Sequence, residues 1–474
     1  MAPLNTVVIV FIKNRWVECM SDFDRYGYLD DRDRTNPKKP VGHDTDKLNI
    51  DSAGELLTIA SSLNGKTIRS LLGNRNFVPL WVGQLVSYLG DQFMLIAVIA
   101  ALSKLSGGNV LSLVMFAVSL AAPQIFFGLV GGVLVDNLDR KWTMIITDLA
   151  RALAMFSMLL VQGQPDRVWV IYPAIFVIGT AQMLFYPARA SALPAIVPKR
   201  DLAAANALLE AGFVVALIFG SGAAGLLVEQ LGENFAFIFN GFAFLFSALM
   251  ILVIRIPSRE SEGGRQRASY RQVIRELREG LSYIWHTRSM RYIMGLSVMV
   301  AGGLGAVIVL VFEYLNKELG IGADGFGAVI GILGVGIVVG GILIQRLSKF
   351  LPTNRLVALA IFLQGIAVAA FVVNPPFVIV LILTALIGFS LIVARAVLST
   401  LTQAIPPEEY RGRVQSAFNL IFTAPLTLAI GAASAVISLV PRGIAVVGFG
   451  IVLLITAWFA ANMLRGVDEA IYGG

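Results

Sequence analysis

Gln84, Ser87, Tyr88 and Asp91 follow one another at intervals of three, one and three within a stretch that is otherwise almost wholly apolar. On a helix such positions stack on one face, so a single stripe carries an amide, two hydroxyls and a carboxyl. Other stripes have the same character: Gln182, Tyr186 and Arg189; Asn206 and Glu210; Arg395, Ser399, Thr402 and Gln403; Gln415, Asn419 and Thr423. These groups can hydrogen-bond a passenger molecule, and Asp91 or Glu210 can carry a proton. No nucleophile with a base at helical spacing stands among them, which argues against an enzyme. No Cys/His/Asp cluster has metal-ligand spacing: the single cysteine, Cys19, and both histidines, His43 and His286, fall outside the apolar segments. Neither a metal nor a cofactor is expected.

The elements that position these stripes follow from composition. Of 474 residues 57% are hydrophobic and 14% charged, with a mean hydropathy of +0.78. A water-wetted domain carries about a quarter charged residues, so the solvent for this chain is lipid. Crossing lipid as helix takes roughly 20 apolar residues, because a spanning segment must satisfy its own backbone hydrogen bonds. Twelve segments meet that requirement, near 77–104, 109–135, 142–163, 168–188, 204–228, 234–256, 290–316, 324–345, 355–373, 376–404, 413–438 and 442–464. The expected fold is an all-α polytopic membrane protein. Asp91 lies about fourteen residues into the first span, roughly 20 Å along its axis and close to mid-bilayer. An ionisable group at that depth is a functional residue by default.

A net charge of +7 does not imply a nucleic-acid partner, because the basic residues are sorted by side. Alternate loops hold Arg140, Lys141, Arg189, Lys199, Arg200, the arginines between Arg255 and Arg291, Arg346, Lys349, Arg355, Arg411, Arg413 and Arg465. The opposite side holds Lys104, Arg167, Lys317 and Arg442. The positive-inside rule puts the rich side, with both termini, in the cytoplasm of a bacterial-type plasma (inner) membrane.

The chain divides into an extension (1–75), a six-helix bundle (76–256), a linker (257–289), a second six-helix bundle (290–465) and a tail (466–474). The extension is dense in charge, Pro and Gly between Asp22 and Glu55 and is expected to be partly disordered. Residues 56–72 read as an interfacial helix leading into the first span. In the linker Val273, Ile274, Leu277, Leu281 and Ile284 recur at helical spacing among arginines, the pattern of a basic amphipathic helix on the membrane surface. The halves echo each other. GGVLVD at 131–136 has its counterpart in GGILIQ at 340–345, and Ala188-Arg189-Ala190 in Ala394-Arg395-Ala396. Two repeats enclosing a substrate is a transporter arrangement.

Gly132, Leu134, Asp136, Arg140 and Lys141 also match a known loop signature, Gly-x-Leu-x-Asp-Arg-x-Gly-Arg-Arg, with Asn137 in place of the basic residue and Asp139 in place of the glycine. This resembles the turn between the second and third helices of the major facilitator superfamily. The stretches NRNFVPLWVGQLVSYLGDQF, ITDLARAL, VPKRDLAAANALLE and IPPEEYRGRVQSAFN are similar to its macrolide-efflux and lysophospholipid-transporter branch. The resemblance covers about 74–464 and implies two pseudo-symmetric six-helix bundles. Spans one, four, seven and ten would line a central cavity, flanked by two, five, eight and eleven, with three, six, nine and twelve facing outward.

It further implies that the turn formed by Gly132, Asp136, Asp139, Arg140 and Lys141 closes a cytoplasmic gate, with Asp136 near Arg411 and Arg413 at the start of span eleven. The expected cavity lining is Gln84, Tyr88, Gln182, Tyr186, Arg189, Asn206, Glu313, Arg395, Ser399 and Asn419. Glu313 with Lys317 stands at the outer end of span seven. A salt bridge between Arg189 and Glu210 and a structural pair of Asp148 with Arg151 are expected. Aromatic residues Trp81, Tyr88, Phe93, Phe185, Tyr186, Phe213 and Tyr314 would give the cavity apolar walls suited to a hydrophobic or amphiphilic small molecule. The reading is a proton-coupled exporter using Asp91, with Glu210 as second candidate and membrane lipids as further partners. A lysophospholipid flippase and a non-transporting receptor or assembly factor on the same scaffold are the alternatives.

Overall fold

The computed structural model describes residues 65–105, 110–127, 138–161, 163–256 and 270–464. The first 64 residues, Gly132 and Asp136 of the gate turn, and the tail expected at 466–474 lie outside the described residues. Helix α1 (Gly65–Leu72) precedes the first span, and Asn74 just after it anchors to the end of the fourth, donating from Nδ2 to the Ile196 carbonyl at 2.8 Å. The spans of the first half are α2 (Phe77–Leu105), α3 (Val110–Phe127), α4 (Arg140–Ser157), α5 (Ile171–Ile196), α6 (Leu202–Val215) with α7 (Ser221–Leu231), and α8 (Glu233–Val253). Helix α9 (Tyr270–His286) connects them to the second half: α10 (Arg288–Lys317), α11 (Ala323–Phe350), α12 (Thr353–Ala369), α13 (Phe377–Ala404), α14 (Glu408–Leu439) and α15 (Arg442–Met463).

Ten of the spans are long and apolar enough to cross a bilayer by length and composition. The other two, α3 and α14, are helices where the second and eleventh spans were expected. Large apolar side chains such as Leu153, Phe219, Phe242 and Val378 are 60–73% exposed on the rim, the inverse of a water-soluble surface. Hydroxyls buried between the spans turn back on their own helix: Ser297 donates to the Ile293 carbonyl at 2.7 Å and Thr384 to Val380 at 2.8 Å. Such residues are accounted for by the backbone and need no ligand.

Local signals set the ends. Asp139 caps α4, its carboxylate accepting from the Trp142 amide at 2.9 Å. Gly232 alone separates α7 from α8, and at φ +83° it makes a turn in a conformation that a side chain would strain. Prolines 352, 376, 407 and 441 stand immediately before α12, α13, α14 and α15. Between α6 and α7 a π-helical turn, Ala216–Gly220, widens the fifth span.

Packing repeats six spans on. In the first half α2 packs on α8, α4 on α8 and on α5, and α3 on α5; in the second α10 packs on α14 and α15, α12 on α15 and on α13, and α11 on α13. Across the halves α3 packs on α14 and α7 on α11. The second contact is backbone to backbone. A Cβ added at Gly327 of α11 would lie 2.4 Å from the Ser221 carbonyl oxygen of α7, and one at Gly331 would lie 2.8 Å from that of Ile218. The end of the molecule where α7 finishes and α11 begins is the charge-poor one, and there Asn316 Nδ2 also donates to Ser103 Oγ at 2.8 Å, joining α10 to α2.

Helix α9 is fixed to α14 by an ion pair of Glu279 with Arg413 at 2.7 Å and a stack of Tyr283 on Tyr410 with ring centroids 4.9 Å apart. Ile284 is buried, as expected for the apolar face, whereas Leu281, expected on the same face, is exposed, as is Trp285.

Candidate functional site

The polar stripe of α2 faces two different groups of residues. Its deeper member, Asp91, is half-buried and within electrostatic reach of Arg151 and Asp148 on α4. Those two form the ion pair expected from their spacing, with exposures of 3% and 0%, so their charges are shielded from any solvent. The Arg151 guanidinium is held over Phe185 of α5, 4.6 Å from the ring centroid, and over Phe244 of α8, 4.3 Å away. A buried cation thus gains two aromatic faces and one carboxylate. The cluster holds two carboxyl groups to one guanidinium. Phe244 was not anticipated, since span six was expected only to face outward. The signal available in the sequence was the pair of polar residues Asn240 and Ser247 on that span, both fully buried. Asn240 packs where α2 and α8 cross at Gly90, whose added Cβ would lie 2.2 Å from Asn240 Oδ1.

The shallower members of the stripe meet α5. Arg189 donates to Gln84 Oε1 at 3.0 Å and to the Tyr88 hydroxyl, and its guanidinium lies 5.2 Å from the Tyr186 centroid. Gln182 Nε2 donates to the Tyr186 hydroxyl at 3.1 Å. The expected Arg189–Glu210 salt bridge is not formed: Arg189 turns to Gln84 and Tyr88 of α2 instead. Tyr88 meets Phe213 of α6 edge to face at 5.5 Å, and Glu210, one turn from Phe213, is exposed. Facing it from the other half is Arg395 of α13, within electrostatic reach of Glu210 and 5.0 Å from the Phe422 centroid of α14. Behind Arg395 the side chains of Ser399, Thr402 and Gln415 bond one another, Thr402 Oγ1 donating to Gln415 Oε1 at 3.0 Å and Gln415 Nε2 to Ser399 Oγ at 3.3 Å. Asn206 and Asn419 are exposed near the same end. Arg395 of the second half thus faces Glu210 of the first, and Arg189 stands behind Tyr88, which Glu210 also reaches.

Several expected aromatic wall residues have other work. Phe185 packs on Arg151, Phe93 sits against Phe235 and Phe239, and Tyr314 is buried with its hydroxyl donating to the Pro375 carbonyl at 2.6 Å. Tyr88, Tyr186 and Phe213 remain at the cleft.

At the basic end, Lys141 does not reach toward span eleven. Its Nζ donates to the carbonyls of Leu252 and Ile254 at 2.7 and 2.8 Å, capping the end of α8. Arg140, next to it, is half-buried at the start of α4. Arg413 pairs with Glu279 and lies over Tyr410, and Arg411 donates to the Pro406 carbonyl at 3.4 Å. At the charge-poor end each basic residue has a local partner: Lys104 with Glu233 at 2.6 Å, Lys317 with Glu313 at 2.8 Å, Arg442 with Glu318 at 3.0 Å, and Arg167 with the Leu160 carbonyl at 3.2 Å. A cavity of about 170 Å³ lies there between the halves, lined by Ile99, Ser103, Phe312, Asn316 and Phe326 among others.

Two helical bundles that touch backbone to backbone at one end, and that both contribute polar side chains to a cleft, define a carrier of small molecules rather than an enzyme. Residues 80–432 match the Major Facilitator Superfamily, and the chain belongs to that family. It is a multi-pass bacterial membrane protein and a secondary transporter with a small-molecule substrate. Among its relatives, macrolide efflux protein A of Streptococcus pyogenes is 24% identical over 367 residues, which is 75% of this chain and 87% of that protein. The multidrug efflux pump Tap of Mycolicibacterium fortuitum is 25% identical over 65% of this chain and 76% of that one. Among solved structures, the nucleoside transporter NupG superposes with a TM-score of 0.64 at 14% identity, over 84% of this chain and 99% of that one. A bacterial homologue of the iron transporter ferroportin, in an inward-facing state, gives 0.60 at 18% identity, over 83% and 99%.

Proposed function

We propose that the protein exports a lipophilic or amphiphilic small molecule in exchange for protons, with Asp91 as the group that takes up and releases the proton. The observation that carries this reading is the placement of Asp91 beside the buried Asp148–Arg151 pair. Arg151 attracts the charged form of Asp91 and Asp148 opposes it, so a small change in spacing between α2 and α4 alters how firmly the proton is held. Spans that rock during transport supply such a change. The efflux activities named for the relatives support the outward direction. The abundance of basic residues at one end supports a cytoplasmic placement of that end, with both termini. In that orientation the α7–α11 contact closes the outer side, and the cleft bearing Glu210 and Arg395 is reached from the cytoplasm.

The test is proton movement in proteoliposomes under an imposed pH gradient, with wild type and Asp91→Asn screened against lipophilic cations, macrolides and lysolipids. Substrate-dependent proton flux that disappears in the variant is the expected result. Full proton-driven transport by Asp91→Asn would remove the carboxyl from the coupling role.

A further inference from the structure

We infer that the cleft recognises an anionic group, a carboxylate or a phosphate, on the amphiphile it carries, through Arg189 and Arg395. Resting on the carrier reading above, this names the headgroup class that the reading leaves open.

The two arginines occupy equivalent places in the two repeats, each at the centre of an Ala-Arg-Ala triplet, on α5 and α13. Their depths match: Arg189 is seven residues from the end of α5 and Arg395 nine from the end of α13, roughly 10 and 14 Å of helical rise. Each guanidinium rests on an aromatic ring, Tyr186 or Phe422, an arrangement that fixes its plane without neutralising its charge. Arg189 spends one terminal nitrogen on two neutral oxygens, Gln84 Oε1 and Tyr88 Oη, and forms no ion pair with a carboxylate among the described residues. Arg395 is exposed and, among the described residues, has no carboxylate within 4 Å; Glu210 acts on it only at longer range. Two cationic forks thus stand with Glu210 within reach and Asp91 deeper on the α2 stripe, and neither arginine is ion-paired to a carboxylate among the described residues.

Membrane-embedded arginines with this little compensation are costly unless something anionic visits them. A fork of planar N–H donors suits carboxylate and phosphate, whose oxygens accept two parallel bonds. The exposed Phe213 ring leaves an apolar wall for the rest of the molecule. A cationic amphiphile would meet the same two charges as repulsion.

Binding measured at equilibrium in nanodiscs of neutral lipid, without any gradient, separates this inference from proton coupling. The probes are a long-chain carboxylate, a long-chain phosphate and a primary amine of the same chain length. Wild type is expected to bind both acids at least about tenfold more tightly than the amine, since a charge-assisted hydrogen bond is worth about 1.5–3 kcal/mol. The ratio of the two acids distinguishes a fatty-acid-like from a phospholipid-like headgroup. Arg395→Gln loses no internal hydrogen bond and should fold as wild type, yet the preference for acids should fall about tenfold. Arg395→Lys should restore part of it, more for phosphate than for carboxylate. Glu210→Gln should strengthen acid binding, the opposite sign. Equal or tighter binding of the amine, or an acid preference untouched by Arg395→Gln, overturns the inference. Selective acid binding without proton flux would leave it standing and remove the coupled-exporter reading instead.

Discussion

A single methyl group at the α7–α11 contact should reset the balance between the two access states. Gly327→Ala places a Cβ 2.4 Å from the Ser221 carbonyl oxygen and 2.8 Å from the Gly225 Cα, both backbone atoms of a helix in the other half. Comfortable separations between non-bonded heavy atoms are about 3.5–4.0 Å, so α7 and α11 must part by about 1 Å. No side chain can swing aside to absorb it. Overpacking of this kind costs about 1–3 kcal/mol. Because the contact joins the halves, that energy falls on the state closed at the charge-poor end, and the ratio of closed to open should drop by about 5- to 150-fold. The assay is a spin-label distance between Asp166→Cys and Val373→Cys, exposed positions on the charge-poor loops of the two halves, with Cys19→Ser removing the native thiol. A longer-distance population should grow in Gly327→Ala. Gly222→Ala is the control, on α7 itself but with nothing within 4 Å of the added Cβ, so it shares the gain in helix propensity without the clash. Identical distance distributions for the two variants would refute the reasoning.

Arg151→Gln should be strongly destabilising, by about 3–5 kcal/mol, because it strands the buried Asp148 carboxylate; thermal unfolding in detergent checks this, and an unfolding temperature equal to wild type would mean that Asp148 is already protonated in the fold. Thr384→Val should change unfolding and transport little, by under about 1 kcal/mol, since its hydroxyl only satisfies its own helix. Asp136→Asn should keep the fold while raising thiol labelling at the basic end, the expected sign if the turn closes the cytoplasmic gate; labelling rates equal to wild type would end that role.

The polar stripes, the all-helical character of the chain and the Ala-Arg-Ala repeat were legible in the chain, because lipid leaves the backbone few economical solutions. A segment in lipid must be a helix, and helical periodicity then says which side chains share a face. That logic identified Gln84, Tyr88 and Asp91 as one surface and Asp148 with Arg151 as a pair. It did not say what each surface meets. Arg189 was matched with Glu210 by similar depth on consecutive spans, yet bonds Gln84 and Tyr88 of the first span. Nor did it give Lys141 its partners, the carbonyls at the end of α8.

Periodicity and charge sorting thus determined the spans, their faces and the side on which the arginines collect, since these depend on each helix and its solvent alone. Which spans become neighbours was decided only by tertiary packing, where glycines such as Gly90 and Gly327 let backbones approach. Phe185 and Phe244, from two other spans, could be assigned to the Arg151 cation only once that packing was known. Helix pairing in lipid has little hydrophobic drive and rests on close-range fit, and fit is a property of two surfaces that one sequence stretch cannot display.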